Sequence, residues 1–473
     1  MPHRAHRWIL PLVCLALPVL AFAAPASNYA AVDVRDFGAK GDGKAVDTRA
    51  IQRAIDACAK RGGGTVVLSA GTYLSAPVFL KSNITFRIDA GAKLVGGRKW
   101  ADYPVVRGRW EGVEREHRAA LITGVDLENV TVEGSGIIDG QGDAWWGEYK
   151  RLSKLADSYK AKGITKAPPG EEEQFRQAQL NRWPRPRLMS LINCRNVVIR
   201  DLHLRNSPSW TVHPVYCESV RIDGLTIDNP TNSPNTDGIN PDSCRLVRIS
   251  NCSISVGDDC ITLKSGKGED GRRAGKPCED IAITNCIMRE GHGGVVIGSE
   301  MSGGVRNVVV SNCIFDGTKA GIRIKTARGR GGVVENVSYS NIVMRGILRE
   351  AIILSMAYEG RVDAAKPEPV TDGTPTLRSI SIADIRVDGA RDALICEGLP
   401  ESPVSGVSLS NVRINATNGM NWRSASGVDM SRVEVNCTQG PALRYSHCRE
   451  MDTSGFKSAS HGPGDAGVAG ESR

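Results

Sequence analysis

The phrase Leu246-Val247-Arg248-Ile249, a short β-prone run with alternating apolar residues, recurs along the middle of the chain. Equivalent phrases begin at Asn196, Ser219, Asp280, Asn307, Asn336, Ser379 and Gly406. Measured between their first apolar residues, the intervals are 23, 27, 34, 27, 29, 43 and 27 residues. Short strands that recur with a period of roughly 20 to 50 residues are typical of a solenoid.

A second strand follows at a fixed distance. Fourteen residues after four of the anchors another apolar run opens, in the pairs Val247 and Ile261, Ile281 and Val295, Val308 and Ile322, and Ile380 and Leu394. Equal offsets stack equivalent strands in parallel sheets, with about 4.8 Å between coils. The sequence therefore predicts an all-β fold, a right-handed parallel β-helix, most regular from Asn196 to about Asn415. A β-sandwich of unrelated strands would not require equal offsets.

The N-terminal region predicts a cap for this solenoid. A helix-period segment from Asp47 to Cys58 has apolar residues at Ile51, Ile55 and Cys58, and a terminal helix can cover the open end of a repeat array. We expect one domain over residues 25–453. A charged, proline-flanked loop insertion is expected at 149–187, and a disordered Gly/Ser-rich tail at 454–473.

Residues 1–24 predict a secretory signal peptide. Arg4 and Arg7 precede an apolar run, and Ala21-Phe22-Ala23 provides small residues for cleavage after Ala23 or Ala24. The apolar run is short and contains Pro11 and Pro18, which disfavours a membrane anchor. We therefore expect a periplasmic or secreted protein without a membrane partner after cleavage, and a monomer.

Composition adds little about partners. The net charge of +8 falls to +6 when Arg4 and Arg7 are removed. A positive charge of this size is as consistent with attraction to polyanions as with simple solubility. The 13 cysteines include several at repeated positions, such as Cys252, Cys286 and Cys313. These are typical of stacked core residues, and no cysteine or histidine pair has zinc-site spacing. No cofactor, metal or nucleic-acid partner is predicted.

Three aspartates fall within 22 positions: Asp237 in Asn235-Thr236-Asp237, and Asp258-Asp259 after Gly257. Close carboxylates repel, so one tends to keep its proton near neutral pH while its neighbours stay ionised. Such a cluster supplies an acid and a base together.

The coil register brings further polar residues to the same outer face, in the order Asp237, Asp258 with Asp259, His292, and Arg323 with Lys325. Asp258 and His292 share one offset from their anchors, so they are predicted to lie one above the other. Asp258 and Asp259 reach one cleft only if Gly257 forms a bend or bulge. Taken singly, each residue has an ordinary alternative: an Asx turn, a tight corner or a solvated strand face.

Glycoside hydrolysis is the chemistry that these groups allow. An acid protonates the leaving oxygen and a carboxylate activates water, with a gap of about 6.5–9.5 Å for inversion and roughly 5 Å for the covalent route. Carboxylates one coil apart favour inversion. Arg323 and Lys325 suit a carboxylate on the substrate, which suggests an acidic sugar.

In four motifs the chain resembles the polygalacturonase family of glycoside hydrolases, family 28, in particular an exported bacterial member. The motifs are Asn-Thr-Asp at 235–237, Gly-Asp-Asp at 257–259, Gly-His-Gly at 291–293 and Arg-Ile-Lys at 323–325. The resemblance extends from Asp36 to about residue 415. It implies a right-handed parallel β-helix, inverting cleavage of polygalacturonate or pectin, and no metal.

The resemblance also implies roles for single residues. Asp258 matches the general acid, Asp237 and Asp259 match the pair that holds the attacking water, and His292 matches the histidine that maintains the protonation of the acid. Arg323 and Lys325 match the contacts to the substrate carboxylate. Because all these motifs are intact, polygalacturonate is favoured over a rhamnogalacturonan or xylogalacturonan backbone.

Other residues are weaker candidates for substrate contacts. Asn235 is expected at a turn or at the substrate, Trp210 and His213 either border a sugar subsite or are simply packed, and Tyr358 adds a contact beyond Arg323. Action from chain ends is slightly favoured, because the 149–187 insertion could close the cleft. A calcium-dependent pectate lyase and a non-catalytic polysaccharide-binding β-helix stay open as alternatives.

Overall fold

A computed structural model describes residue 1 and residues 31–179, 185–360, 366–458 and 468–472. The predicted signal peptide therefore lies outside the described residues, apart from Met1. The described chain winds into three ladders of parallel strands, and it forms the right-handed parallel β-helix that the repeats predict.

The first ladder contains the repeated anchor phrases. Its strands are Val32–Asp33, Gly64–Leu68, Ile84–Ile88, Glu128–Glu133, Arg195–Arg200, Glu218–Asp223, Arg245–Ser250 and Cys278–Thr284. Val247 pairs with Ile281, and Ile281 pairs with Val308, so the predicted stacking of the anchors is confirmed.

The second ladder follows each anchor strand after a corner. Its strands are Asp42–Val46, Gly71–Ser75, Ala92–Gly96, Ile137–Asp139, His203–Arg205, Thr226–Asp228, Ser253–Val256, Ile287–Glu290 and Phe456–Lys457. Later coils run through their corners as single long strands, which are Val305–Asp316, Val333–Ser355, Thr376–Glu397, Val404–Arg423 and Ala425–Asp452.

The third ladder, which we call the site sheet, bears the candidate residues. Its strands are Val78–Phe79, Ile122–Val125, Met189–Ile192, Val212–Val215, Asp259–Leu263, Gly293–Gly298, Ala320–Lys325 and Val468–Ser472, with an isolated bridge at Ile239. Ile261 pairs with Val295, and Val295 pairs with Ile322. The predicted offset of 14 residues is therefore confirmed.

Apolar side chains fill the interior of the coils because alternate strand residues point inward. Ile261, Val295 and Ile322 are fully buried. The cysteines of the described residues are unpaired thiols, and all but Cys437 are buried. Cys194, Cys217 and Cys244 follow one another on successive coils through backbone N–H to Sγ contacts of 3.4 Å, as expected for core residues.

Helix α1, Thr48–Lys60, buries Ala50, Ile51, Ala54, Ile55 and Cys58 against the first coils, as the N-terminal cap predicts. The short helices are the 3-10 turns Val34–Phe37, Trp100–Asp102 and Tyr358–Gly360. No helix of the described residues has both the length and the apolarity to cross a bilayer.

Two segments differ from the predictions. The insertion expected as a loop at 149–187 is largely helical in its first part, because helix α2, Asp143–Ala161, runs into it and helix α3, Glu172–Gln179, lies within it. Tyr159 packs on Phe175 at a ring distance of 5.1 Å. A further short helix, α4, spans Gly268–Ala274. The tail expected to be disordered contains two strands, because the last coil offers open strand edges with which Phe456–Lys457 and Val468–Ser472 pair.

A hairpin outside the ladders, Val105–Trp110 and Val113–Arg118, is the antiparallel strand pair of the described chain. Arg109 of this hairpin is fully buried and donates to Asp242 over 2.6 Å. The second terminal nitrogen of the Arg109 guanidinium contacts the Tyr216 hydroxyl. This buried ion pair attaches the hairpin to the β-helix.

Candidate active site

A bend at Gly257 and Asp258 separates the strand Ser253–Val256 from the strand Asp259–Leu263. A side chain at Gly257 would place its Cβ 2.1 Å from the backbone oxygen of Ser233, so glycine alone fits there. The bend lets two consecutive aspartates face the same cleft. This confirms the bend that the sequence required.

Asp237 joins them from the preceding coil, where the N–H of Gly238 donates to the backbone oxygen of Asp259 at 3.0 Å. One oxygen from each of the carboxylates of Asp237, Asp258 and Asp259 lies within 4.8 Å of the other two. Asp237 and Asp259 have 4% and 2% of their side chains exposed, against 17% for Asp258. Asp258 is therefore the member most accessible to a ligand.

His292 stacks on Asp258 as the coil register predicts. Its backbone N–H donates to the backbone oxygen of Asp258 at 2.8 Å, and its Nδ1 lies 3.0 Å from Asp258 Oδ1.

Arg323 and Lys325 lie on the next coil and contact a protein carboxylate. Lys325 Nζ is 2.8 Å from Asp259 Oδ2, and an Arg323 guanidinium nitrogen is 3.6 Å from Asp259 Oδ1. The ring of Tyr358 lies beside both cations, 5.8 Å from the Arg323 guanidinium carbon and 5.2 Å from Lys325 Nζ. The structure thus brings Tyr358 to the site.

Asn235 connects the aspartates to the helical insertion. Its Nδ2 lies 3.5 Å from Asp258 Oδ2, and its Oδ1 accepts from Arg185 at 2.8 Å. The Arg185 guanidinium stacks on the ring of Tyr149 in α2, 3.9 Å from its centroid. The sequence reasoning missed Arg185 and Tyr149, because neither belongs to the repeat.

Trp210 and His213 are packed residues. Trp210 is 6% exposed and stacks on Trp110 of the hairpin, with ring centroids 6.5 Å apart. His213 is fully buried, 3.6 Å from Asp242. Trp210 still borders the cleft. His213 does not line the cleft, because the hairpin covers that coil. Of the two alternatives for His213, the structure therefore shows packing.

Lys264 and Glu300 were also missed. Lys264 Nζ lies 3.1 Å from Glu300 Oε2, 3.7 Å from Asp237 Oδ2 and 4.5 Å from the centroid of Trp210. The strand register contained a signal for Lys264. Leu263 pairs with Ile297, so Lys264 falls beside Gly298, and Gly298 in turn pairs with Lys325. Glu300 follows the end of its strand, where no periodicity applies.

The cleft at these residues has a volume of about 150 Å³. Glu111 from the hairpin tip and Tyr149 from α2 line it, together with Arg330 and Tyr358 from later loops. Segments outside the ladders therefore form much of its wall.

The site sheet is covered on one side of the aspartates and open on the other. Through the coil of Gly293–Gly298, successive positions of one outward-facing column are buried: Thr123, Ser190, His213, Asn240, Thr262 and Val296. From Arg323 onward the same column is partly or fully exposed, at Arg323, Ile353, Ile395, Asn421 and Arg444. The cleft is thus closed towards the N-terminal coils.

The charges of the site separate the pKa values of two neighbouring aspartates. Burial and the charge of Asp258 raise the pKa of Asp237 well above its ordinary value. Burial also acts to raise the pKa of Asp258, but the hydrogen bond and charge of His292 lower the pKa of Asp258 to about 2. In the free protein the surroundings thus favour ionisation of Asp258 and disfavour ionisation of Asp237.

Three carboxylates this close could also hold a cation. Here two ammonium groups already contact them, Lys325 on Asp259 and Lys264 on Asp237. These lysines supply positive charge where a calcium ion would otherwise do so, so the residues fit a metal site poorly.

Comparisons with known proteins agree with this architecture. The model described as glycosyl hydrolases family 28 matches residues 172–437, and one described as rhamnogalacturonase A/epimerase, pectate lyase-like matches residues 31–95. A probable polygalacturonase of Vitis vinifera is 32% identical over 84% of this chain and 77% of its own length. An endo-polygalacturonase of Pectobacterium carotovorum subsp. carotovorum is 31% identical over 80% and 85%.

Among solved structures, a hyperthermoactive exopolygalacturonase from Thermotoga maritima superposes with a TM-score of 0.73 and 30% identity, covering 86% of this chain and 91% of that one. The matched regions include every aspartate of the cluster. The chain is a glycoside hydrolase that belongs to glycosyl hydrolases family 28.

Proposed function

We propose that this protein hydrolyses the α-1,4-galacturonosidic bonds of polygalacturonate, as in pectin, with inversion and from one chain end. The observation that carries the proposal is the cluster of Asp237, Asp258 and Asp259 beside Arg323 and Lys325. Polygalacturonase names among similar proteins support galacturonan as the substrate.

In this proposal Asp258 protonates the glycosidic oxygen, because it is the most exposed carboxyl of the cluster. Asp237 and Asp259 hold the attacking water and accept its proton. The guanidinium of Arg323 and the neighbouring Lys325 attract the carboxylate of a galacturonate unit.

The pKa shifts in the free protein oppose this assignment, because they favour protonation of Asp237 over protonation of Asp258. Carboxyl groups this close titrate as a unit, and one proton can redistribute among them. We propose that the proton passes to Asp258 when the anionic substrate, bound near His292, offsets the positive charge that keeps Asp258 ionised.

The closest carboxylate oxygens lie within 4.8 Å of one another, which is shorter than the gap of about 6.5–9.5 Å expected for inversion. The gap therefore does not by itself select the stereochemical course. Two carboxylates that can accept hydrogen bonds from one water, and the resemblance to an inverting family, support inversion.

Action from a chain end is supported by the covered side of the site sheet. A polymer that crosses the aspartates would need the face now occupied by the hairpin Val105–Trp110 and Val113–Arg118, and by Tyr149 stacked on Arg185. The chain end would instead stop at this wall, with the remaining units along the open coils.

We also propose that the protein is a monomeric bacterial enzyme exported as a single domain, residues 25–453, to the periplasm or the medium. The leader-like residues 1–24 support this proposal. N-terminal sequencing of the exported protein tests it, with a new N-terminus after Ala23 or Ala24 as the expected result.

Digestion of polygalacturonate, with products sized over time, tests the main proposal. Monomer should be the first product, and proton NMR should show the inverted anomer before mutarotation. Mixed oligomers at early times would contradict action from a chain end. Unsaturated product and loss of activity with a chelator would indicate a lyase, and cleavage of rhamnogalacturonan or xylogalacturonan alone would correct the substrate.

A further inference from the structure

Lys264 is a buried ammonium beside a member of the aspartate cluster. Its side chain is 4% exposed, and its Nζ lies 3.7 Å from Asp237 Oδ2 and 3.1 Å from Glu300 Oε2. Removing a charge from water is costly unless it is paired. Asp237 and Glu300 together provide that pairing, while the face of Trp210 adds a cation–π contact at 4.5 Å.

The arrangement repeats one seen at the neighbouring aspartate. Lys325 contacts Asp259 at 2.8 Å, and the strand register places Lys264 and Lys325 in one column of the site sheet, on either side of Gly298. Each of the two more deeply buried aspartates therefore has its own lysine. Lys264 differs because it is shared with a second carboxylate, Glu300.

We infer that Lys264 and Glu300 form a positioning pair for Asp237, in which Lys264 favours the ionised carboxylate and Glu300 limits that effect. The inference rests on the proposed function for its consequence in turnover, because Asp237 must be ionised to accept a proton from water. Neither residue needs to touch the reacting atoms for this role.

Several charges act on Asp237 from the surrounding elements. Those that face it are Asp258, Asp259, Lys264, Lys325, Arg185 and Arg187. Burial and Asp258 raise the pKa of Asp237, whereas Lys264 and Lys325 oppose the rise. Burial opposes ionisation of Glu300 too, yet the charge of Lys264 lowers the pKa of Glu300 to about 2. Glu300 is therefore anionic at neutral pH, and its negative charge offsets part of the positive charge that the Lys264 ammonium presents to Asp237.

The signs of two substitutions follow. Lys264→Met removes the positive charge, so Asp237 stays protonated to higher pH and the acidic limb of the activity profile moves up. Glu300→Gln leaves the ammonium to Asp237 alone, so the acidic limb moves down. Opposite shifts from two adjacent residues are not expected from general damage to the fold.

The experiment uses the full chain and four proteins: wild type, Lys264→Met, Glu300→Gln and the double variant. The double variant has no unpaired buried charge, so it remains informative if Lys264→Met alone fails to fold. Rates on polygalacturonate are measured across pH, with kcat and KM separated. Thermal unfolding reports folding, and the exposed Lys44→Met serves as a control that should match the wild type.

In Lys264→Met we expect the acidic limb to rise by about one pH unit, which is about tenfold in rate on that limb, and in the double variant we expect a smaller rise, because the charge of Glu300 is removed as well. KM should change little. Shifts of the single variants in the same direction would overturn the inference. An unchanged limb with a raised KM would also overturn it, and would identify Lys264 as a substrate contact.

A second readout separates this inference from the proposed function. The Asp237 carboxyl resonance, labelled with carbon-13 and assigned with Asp237→Asn, reports its titration without substrate. If the wild type does not cleave polygalacturonate but this titration moves up in the double variant, the proposed function fails and the positioning role stands. If cleavage is normal but neither the titration nor the acidic limb moves, the positioning role fails.

Discussion

His292 Nδ1 lies 3.0 Å from Asp258 Oδ1, and the backbone N–H of His292 donates to the backbone oxygen of Asp258 at 2.8 Å. Two contacts of different kinds therefore fix the imidazole above the carboxyl group. Because the residues occupy equivalent places on adjacent coils, the solenoid itself sets their relative position.

Replacing His292 by Asn should raise the pKa of Asp258, because the hydrogen bond and charge of His292 are what lower it. Because Asp258 acts as the acid, we expect the basic limb of the kcat profile on polygalacturonate to move to higher pH, with a nearly constant KM. The pH dependence of kcat and KM checks this. A raised KM with normal kcat would instead show that His292 binds substrate.

Asp258→Asn should abolish most turnover, because an amide cannot donate the proton to the leaving oxygen. We expect a loss of about 10³-fold or more in kcat, measured by release of reducing ends. The exposed Asp388→Asn should behave as the wild type. Retained turnover in Asp258→Asn would remove this residue from the acid role, and a larger loss in Asp237→Asn would assign that role to Asp237.

Shortening the hairpin should change the products. Val105 and Arg118 are directly paired, so an Asn-Gly turn can replace residues 106–117 between them, with Asp242→Asn added because Arg109 is removed. We expect mixed oligomers in place of early monomer, because the covered coils then become open to the polymer. Glu111→Gln, which keeps the hairpin, is the matched control. Unchanged product sizes would show that another segment sets the mode of attack.

The buried pair of Arg109 and Asp242 should contribute strongly to stability. Arg109→Met leaves Asp242 without its cation, and removing one partner of a buried pair costs about 3–5 kcal/mol. We expect a lower thermal midpoint for Arg109→Met than for the double variant Arg109→Met/Asp242→Asn. Equal midpoints for the single variant and the wild type would contradict this prediction.

Stability should also fall in mild acid. Burial and the charge of Arg187 lower the pKa of His117 and of His213 to about 3, below the ordinary value of 6.5. The unfolded chain therefore binds protons first as the pH falls. The stability that these two neutral histidines contribute is complete above about pH 6.5 and is lost as the pH falls towards 3. Denaturant unfolding at several pH values measures it, and His213→Gln should reduce the slope.

The aspartate cluster could be predicted because it is part of the repeat. Alternation along strands and equal coil lengths place Asp237, Asp258 and His292 on one face, and the glycine before Asp258 signals the bend between strands. The contacts of Lys325 were less predictable. The register shows that it points outward, but only the depth of the cleft places it against Asp259.

The sequence by itself determined the β-helix, its register and the order of the aspartates, because residues that recur with a coil period must stack wherever the coils stack. The tertiary structure alone decided what closes the cleft and what surrounds the aspartates. Arg109 meets Asp242, Arg185 meets Tyr149, and Glu300 meets Lys264 across segments that share no period. Contacts of this kind depend on how inserted segments fold back over the coils, and no spacing in the chain records that path.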